Sequence, residues 1–122
     1  MTVGSPALAG LSVLVVEDEF LVAILLADAL EEAGARVIGP AGSRDDGLVL
    51  IDAGGIDAAV VDWNLAGHCG DVLARALTAR EVPYVIATGY GMVPAEFSAA
   101  PVLAKPFDLE GLVALVARLV GR

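Results

Sequence analysis

The residues of this chain best suited to chemistry are mostly acidic, and each stands at the end of an apolar run. Glu17, Asp18 and Glu19 follow Val13-Leu14-Val15-Val16. Asp62 ends the run Ala58-Ala59-Val60-Val61, Thr88 follows Val85-Ile86-Ala87, and Lys105-Pro106 follows Val102-Leu103-Ala104. Clustered carboxylates repel one another and raise each other's pKa unless a cation joins them. A hard divalent cation with oxygen ligands fits that need, and Mg²⁺ commonly keeps waters beside one or two carboxylates and a phosphate. Lys105 would add a point charge for a phosphoryl oxygen, and Thr88 a hydroxyl donor. Asp62 can attack phosphorus and form an acyl phosphate, with charge on the equatorial oxygens stabilised by the cation and Lys105. Any one of these residues is equally well read as an ordinary polar strand end. One such residue after each successive run favours a shared site.

A shared site requires elements that bring distant positions to one edge. Ser12–Val16 is short, continuous and β-branched, as in a strand buried on both faces. Residues 20–33 have helical spacing, with Leu21, Ile24, Leu25, Ala29 and Ala33 near one face and a stop at Gly34. A second strand covers 35–39. Ser43 is placed to cap a helix that carries Asp46 in its first turn and ends near Gly54-Gly55. Strands at 57–62, 83–87 and 102–104 alternate with helices at 70–80 and after Asp108, the last presenting Leu109, Leu112, Val113, Leu115, Val116 and Leu119. Strands alternating with helices predict an α/β fold, a doubly wound parallel sheet of five strands. In such sheets ligands bind outside the carboxyl ends of the strands, where the chemistry-bearing residues lie. Residues 1–10 read as a loose leader and 11–122 as one domain.

Composition narrows the function. The chain has 122 residues, 57% of them hydrophobic but only 5% aromatic, and a mean hydropathy of +0.78. No apolar run reaches the roughly 18–20 residues of a membrane span, and no basic n-region marks a secretory signal. A cytoplasmic protein is the expectation. The formal net charge of −9 argues against nucleic acid and anionic membrane as partners. The single cysteine, Cys69, excludes an internal disulfide and a multi-cysteine zinc site, and the single His68 disfavours a histidine metal cluster or a Ser/His triad.

Taken together, these motifs resemble the receiver domain of two-component response regulators, the CheY-like fold with strand order 2-1-3-4-5. The acidic end of the first strand, Asp62 with Gly70 eight positions later, Ala87-Thr88-Gly89 and Lys105-Pro106-Phe107 occur in the family's order, from about residue 11 to the end. The resemblance implies that Asp62 accepts a phosphoryl group from a sensor histidine kinase or phosphotransfer protein. It implies Mg²⁺ ligated by Asp18, Asp62 and the backbone carbonyl of Asn64, with Glu17 acting through a metal-bound water. Thr88 would move toward the phosphoryl group and Lys105 would pair with it, the peptide before Pro106 being cis. The Pro83–Gly91 stretch also resembles a subgroup of stand-alone receivers with a Phe-Ala-Thr-Gly-x-Tyr-like motif, which implies an α-proteobacterial pathway; here Ile86 replaces the Phe and Tyr90 directly follows Gly89.

The chain departs from the family pattern in ways that bear on signalling. Leu65 and Ala66 stand where the family often has Met-Pro. Val102 stands where it has an aromatic switch residue, so Tyr90 becomes the candidate signal carrier. Lys105 lies only seventeen positions after Thr88, so the fourth helix is expected to be short or mobile. His68 and Cys69 read as solvated loop residues, Trp63 as a packing residue that could also shield or report on Asp62, and the Asn64 side chain as a group that could steer water. The apolar stripe of the first helix reads as core, although Phe20 and Leu21 could meet a kinase helix. With the chain ending at Arg122, the expected output is a contact with a downstream protein, or drainage of phosphoryl groups as a sink, by a monomer or weak dimer that is not otherwise an enzyme. An aspartyl-nucleophile phosphatase or phosphotransferase is the alternative, weakened because Asn64 occupies the usual acid/base position. A nucleotide-binding domain is weaker still, because the first strand ends in carboxylates and not in a glycine-rich turn.

Overall fold

The computed structural model describes residues 6–89, 93–97, 99–104 and 108–122. In chain order the elements are β1 (Ser12–Val16), α1 (Phe20–Glu32), β2 (Arg36–Ala41), α2 (Arg44–Ala53), β3 (Ala58–Asp62), β4 (Asn64–Leu65), β5 (His68–Cys69), α3 (Asp71–Ala79), β6 (Tyr84–Thr88), a 3-10 turn (Ala95–Phe97), β7 (Val102–Ala104) and α4 (Leu109–Leu119). The main sheet is parallel, in the order β2-β1-β3-β6-β7. This is the expected 2-1-3-4-5 arrangement, because β4 and β5 form a separate hairpin.

Alternation along the strands divides the core in two. Val13, Val15, Ala58, Val60 and Val85 face Leu26 and Leu30 of α1 and Leu112 and Val116 of α4. Leu14, Val16, Ala59 and Val61 face Ile51 of α2 and Leu73 and Leu77 of α3. A strand covered on both faces needs an apolar residue at every position, and this is why β1 and β3 read as continuous runs. Burial of a leucine in such a layer contributes about 2–3 kcal/mol through removal of apolar surface from water.

Local chemistry fixes several ends. Ser43 Oγ accepts the Asp46 amide at 3.1 Å, and Asp45 and Asp46 lie in the first turn of α2, where the helix dipole favours them. That helix stops at Gly54, whose φ of +80° suits glycine. Asp108 holds the N-cap position of α4 without a side-chain capping bond. Between β6 and β7, the described residues contain one helical turn, Ala95–Phe97, in place of a full fourth helix.

Two sequence expectations are corrected. The core face of α1 consists of Ala23, Leu26, Ala27 and Leu30, whereas Leu21, Ile24 and Leu25 are exposed. This helix is apolar around most of its circumference, so periodicity could not select the face; the sheet does. The second concerns residues 6–10, which do not hang loose. Leu8 is fully buried among core residues, its amide donates to the Ala33 carbonyl at 2.8 Å, and the Arg122 guanidinium donates to the Ala9 carbonyl at 2.6 Å. Leu8→Ala is therefore expected to lower the unfolding free energy by about 2–5 kcal/mol, read by urea denaturation; an unchanged midpoint would show that the segment adds nothing to the core.

Candidate functional site

The sheet delivers three carboxylates to one edge. Glu17 and Asp18 follow β1, Asp62 ends β3, and one carboxylate oxygen from each lies within 4.8 Å of the others. Glu17 and Asp62 are almost completely buried, as is Thr88 at the end of β6, and Asp18 is half-buried. Parallel pairing explains the convergence: Val16 lies opposite Val61, and Asp62 opposite Ala87, so the chain positions just beyond them fall side by side.

Backbone bonds hold each group in place. The Glu17 amide donates to the Ala41 carbonyl at 2.9 Å. That contact depends on an irregularity in β2, where pairing slips between Leu14 and Val16 and Gly39 takes a φ of +92°. A Cβ at Gly39 would lie 2.6 Å from the Ala41 nitrogen, so only glycine fits. The Glu17 carboxylate accepts the Glu19 amide at 3.1 Å, and Asp62 Oδ1 accepts the Asn64 amide at 3.2 Å. Gly70, read in sequence as part of the acceptor loop, has a steric role here: its amide donates to the Trp63 carbonyl at 2.9 Å, and a Cβ would stand 2.6 Å from the Asp62 carbonyl oxygen.

The β4–β5 hairpin was not foreseen. Asn64 pairs with Cys69 and Leu65 with His68 across Ala66-Gly67, both at positive φ. Such two-residue turns usually announce themselves as Asn-Gly or Asp-Gly, and Ala66 hides the signal. The hairpin is fastened to the site, since Asp18 Oδ2 accepts the Ala66 amide at 3.0 Å. The Asn64 side-chain oxygen accepts the Gly67 amide at 3.1 Å, so it braces the turn. His68 and Cys69 are exposed, as read. Val102 is exposed at the start of β7, opposite Ile86. Lys105 and Tyr90, expected to serve as phosphoryl partner and signal carrier, lie outside the described residues, as does the Lys105–Pro106 peptide.

Electrostatically, burial works to raise the Asp18 pKa. Hydrogen bonding with the Asp62 and Glu17 carboxyls and from the Ala66 amide outweighs it and brings Asp18 below its ordinary 3.8. The donor set is hard and all-oxygen, the kind that suits Mg²⁺ or Ca²⁺. Among the described residues, no helix is long and apolar enough to cross a membrane.

With this geometry established, comparison with known proteins is informative. The response regulator receiver domain family matches residues 13–117, and the chain belongs to that family, a signalling domain of two-component systems. The chain is 39% identical to SdrG from Sphingomonas melonis Fr1, with a TM-score of 0.80 over 93% of this chain and 98% of that one. It is 27% identical to a probable chemotaxis protein CheY of Rhizobium etli, over 91% of this chain and 93% of that protein. It is also 35% identical to the transcriptional regulatory protein TcrA of Mycobacterium tuberculosis, over 93% of this chain. The chain spans about half the length of two curated relatives it matches, 47% of TcrA and 57% of PdtaR from the same species. The receiver domain of the sensor kinase PA1611 from Pseudomonas aeruginosa shares the fold at 24% identity and a TM-score of 0.79, covering 93% of this chain and all of that one, and its structure holds magnesium in the active-site cleft.

Two outcomes follow from the geometry. Gly70→Ala is expected to cost about 1–3 kcal/mol, because the added methyl forces the Asp62 carbonyl or α3 to move; thermal unfolding at unchanged midpoint would contradict the close approach. Because the folded pKa of Asp18 is depressed, its ionised form stabilises the fold above pH 3.8, and that contribution is lost as pH falls through the folded value. In chelator-treated protein, the stability difference between wild type and Asp18→Asn should hold above pH 3.8 and shrink as the pH falls below it; a difference independent of pH would contradict the assignment.

Proposed function

We propose that Asp62 is the phosphoryl acceptor of this receiver and that its phosphorylation switches a surface read by another protein. The observation that carries this reading is the meeting of Glu17, Asp18 and Asp62 at the carboxyl edge of the sheet in a member of the receiver family. Asp18 and Asp62, with the Asn64 backbone carbonyl, would hold Mg²⁺, and Glu17 would act through a water. When bound, the cation would neutralise charge on the phosphoryl oxygens. An Asp62 carboxylate oxygen attacks phosphorus as the phosphorus–nitrogen bond of a phosphohistidine breaks, and the departing imidazole takes up a proton. The Asn64 amide orients the Asp62 carboxylate by donating to its Oδ1. Thr88, buried at the adjacent strand end, would donate to the new phosphoryl group. Lys105 would pair with it by its place in the sequence motif.

The donor is a sensor histidine kinase or a phosphotransfer protein. The exposed side of α1 supports contact with a helix of that donor, since Phe20 and Leu21 are each about three-quarters exposed beside the acidic site. A groove of about 410 Å³ lies between α1 and α4, lined by Leu25, Asp28, Leu109, Glu110 and Val113 among others. Family membership does not favour the aspartyl phosphatase alternative, and Asn64, engaged with Gly67, offers no acid/base carboxyl. Output contact and phosphate sink share the same chemistry.

The test is intact mass after incubation with acetyl phosphate, with and without Mg²⁺. A gain of one phosphoryl group that needs Mg²⁺ and vanishes in Asp62→Asn is expected. A gain that persists in Asp62→Asn, or the absence of both phosphoryl gain and Mg²⁺ binding, would contradict the proposal.

A further inference from the structure

A small apolar cluster beside the two main core layers adjoins the acceptor through Trp63. It consists of Ala74, Ile86 and Phe97, with Trp63 packed against it. Trp63 is bonded directly to Asp62. Its amide donates to the Ala87 carbonyl at 2.8 Å and its carbonyl accepts the Gly70 amide at 2.9 Å, so its backbone is tied on both sides. Its ring meets Phe97 edge to face, with centroids 5.1 Å apart and planes at 69°. Such pairs contribute about 0.5–1.5 kcal/mol beyond the area they bury.

Phe97 is the buried residue of the one helical turn described between β6 and β7. That turn is held from its other side by Arg75 of α3. The guanidinium lies 5.4 Å from the Phe97 ring centroid, donates to Glu96 at 2.8 Å and donates to Asp71 at 2.9 Å. Both ion pairs are largely exposed and therefore weak. Phe97 anchors this three-residue turn against Ala74 and Ile86, but the rest of the turn is held only by exposed contacts, a feature of the low-stability end of a fold, where alternative arrangements cost little. Ala95 and Glu96 of the turn, and Pro94 before it, are exposed. Val102, at the family's aromatic position, is an exposed aliphatic residue and offers no ring to read.

We propose that the Trp63–Phe97 contact carries the phosphorylation state of Asp62 to the Ala95–Phe97 turn. The inference rests on Asp62 being the acceptor. A change in charge and bonding at Asp62 shifts the end of β3. Because the Trp63 backbone is tied to β6 and to Gly70, the shift passes into its ring, and the ring moves Phe97. The exposed face of the turn then differs between the two states.

The experiment is amide NMR of the full chain before and after acetyl phosphate and Mg²⁺, with intact mass measured on the same samples. In wild type the Ala95, Glu96 and Phe97 amides should shift with phosphoryl gain. In Trp63→Leu the gain should persist while those shifts fall by at least about threefold, and Trp63→Phe, which keeps a ring edge, should restore them. Should Trp63→Leu fail to fold, Phe97→Leu serves instead, read at Ala95 and Glu96. Shifts of wild-type size in the leucine variants, or a wild type that gains phosphate without shifts in the turn, would overturn the inference and leave Asp62 as acceptor. Absence of phosphoryl gain in wild type would overturn the acceptor reading and this inference together.

Discussion

Everything at the functional end of this protein depends on holding three carboxylates within 4.8 Å of one another at the edge of an apolar sheet. Two of them are almost fully buried, where charge is expensive unless it is hydrogen-bonded or joined to a cation. The surrounding structure can be read as the means of meeting that requirement. The Gly39 irregularity brings the Ala41 carbonyl to the Glu17 amide, the hairpin supplies the Ala66 amide to Asp18, and the Asn64 amide reaches Asp62. Two of these bonds tie the Asp18 and Asp62 carboxylates to the hairpin, and the third anchors the Glu17 backbone to β2.

The sheet, with α1 and α4 on one face and α2 and α3 on the other, supplies the rigidity. A single helical turn occupies the place of a fourth helix among the described residues, and a small satellite cluster secures it. The proposed switch relies on this asymmetry between a site fixed on the sheet and a neighbouring short turn.

Much of this was legible in the sequence for identifiable reasons. Apolar runs punctuated by glycine gave the strands, and a charged or hydroxyl residue after each run gave Glu17, Asp18, Asp62 and Thr88. Ser43 with Asp46 marked a helix start that the structure confirms by a hydrogen bond. Where the sequence misled, the local signal was absent or ambiguous. The first helix is apolar on most sides, so only packing on the sheet decides that Leu26 and Leu30 go in while Phe20 and Leu21 stay out. Leu8 is one leucine among small residues, with no periodicity to announce that it fills the core. Ala66 replaces the asparagine that would have marked the hairpin, and the meeting of Trp63 with Phe97 is a tertiary contact with no sequence period behind it.

The central claim is that the carboxylate at position 62, and no other in the cluster, takes the phosphoryl group. Borohydride reduction of the phosphorylated chain followed by peptide mapping tests this directly, because it converts an aspartyl phosphate to homoserine and leaves free carboxylates intact. The account predicts homoserine at position 62 alone, formed only when Mg²⁺ accompanied the phosphoryl donor. Homoserine at position 18, or a phosphorylated chain with aspartate intact at position 62, would contradict it.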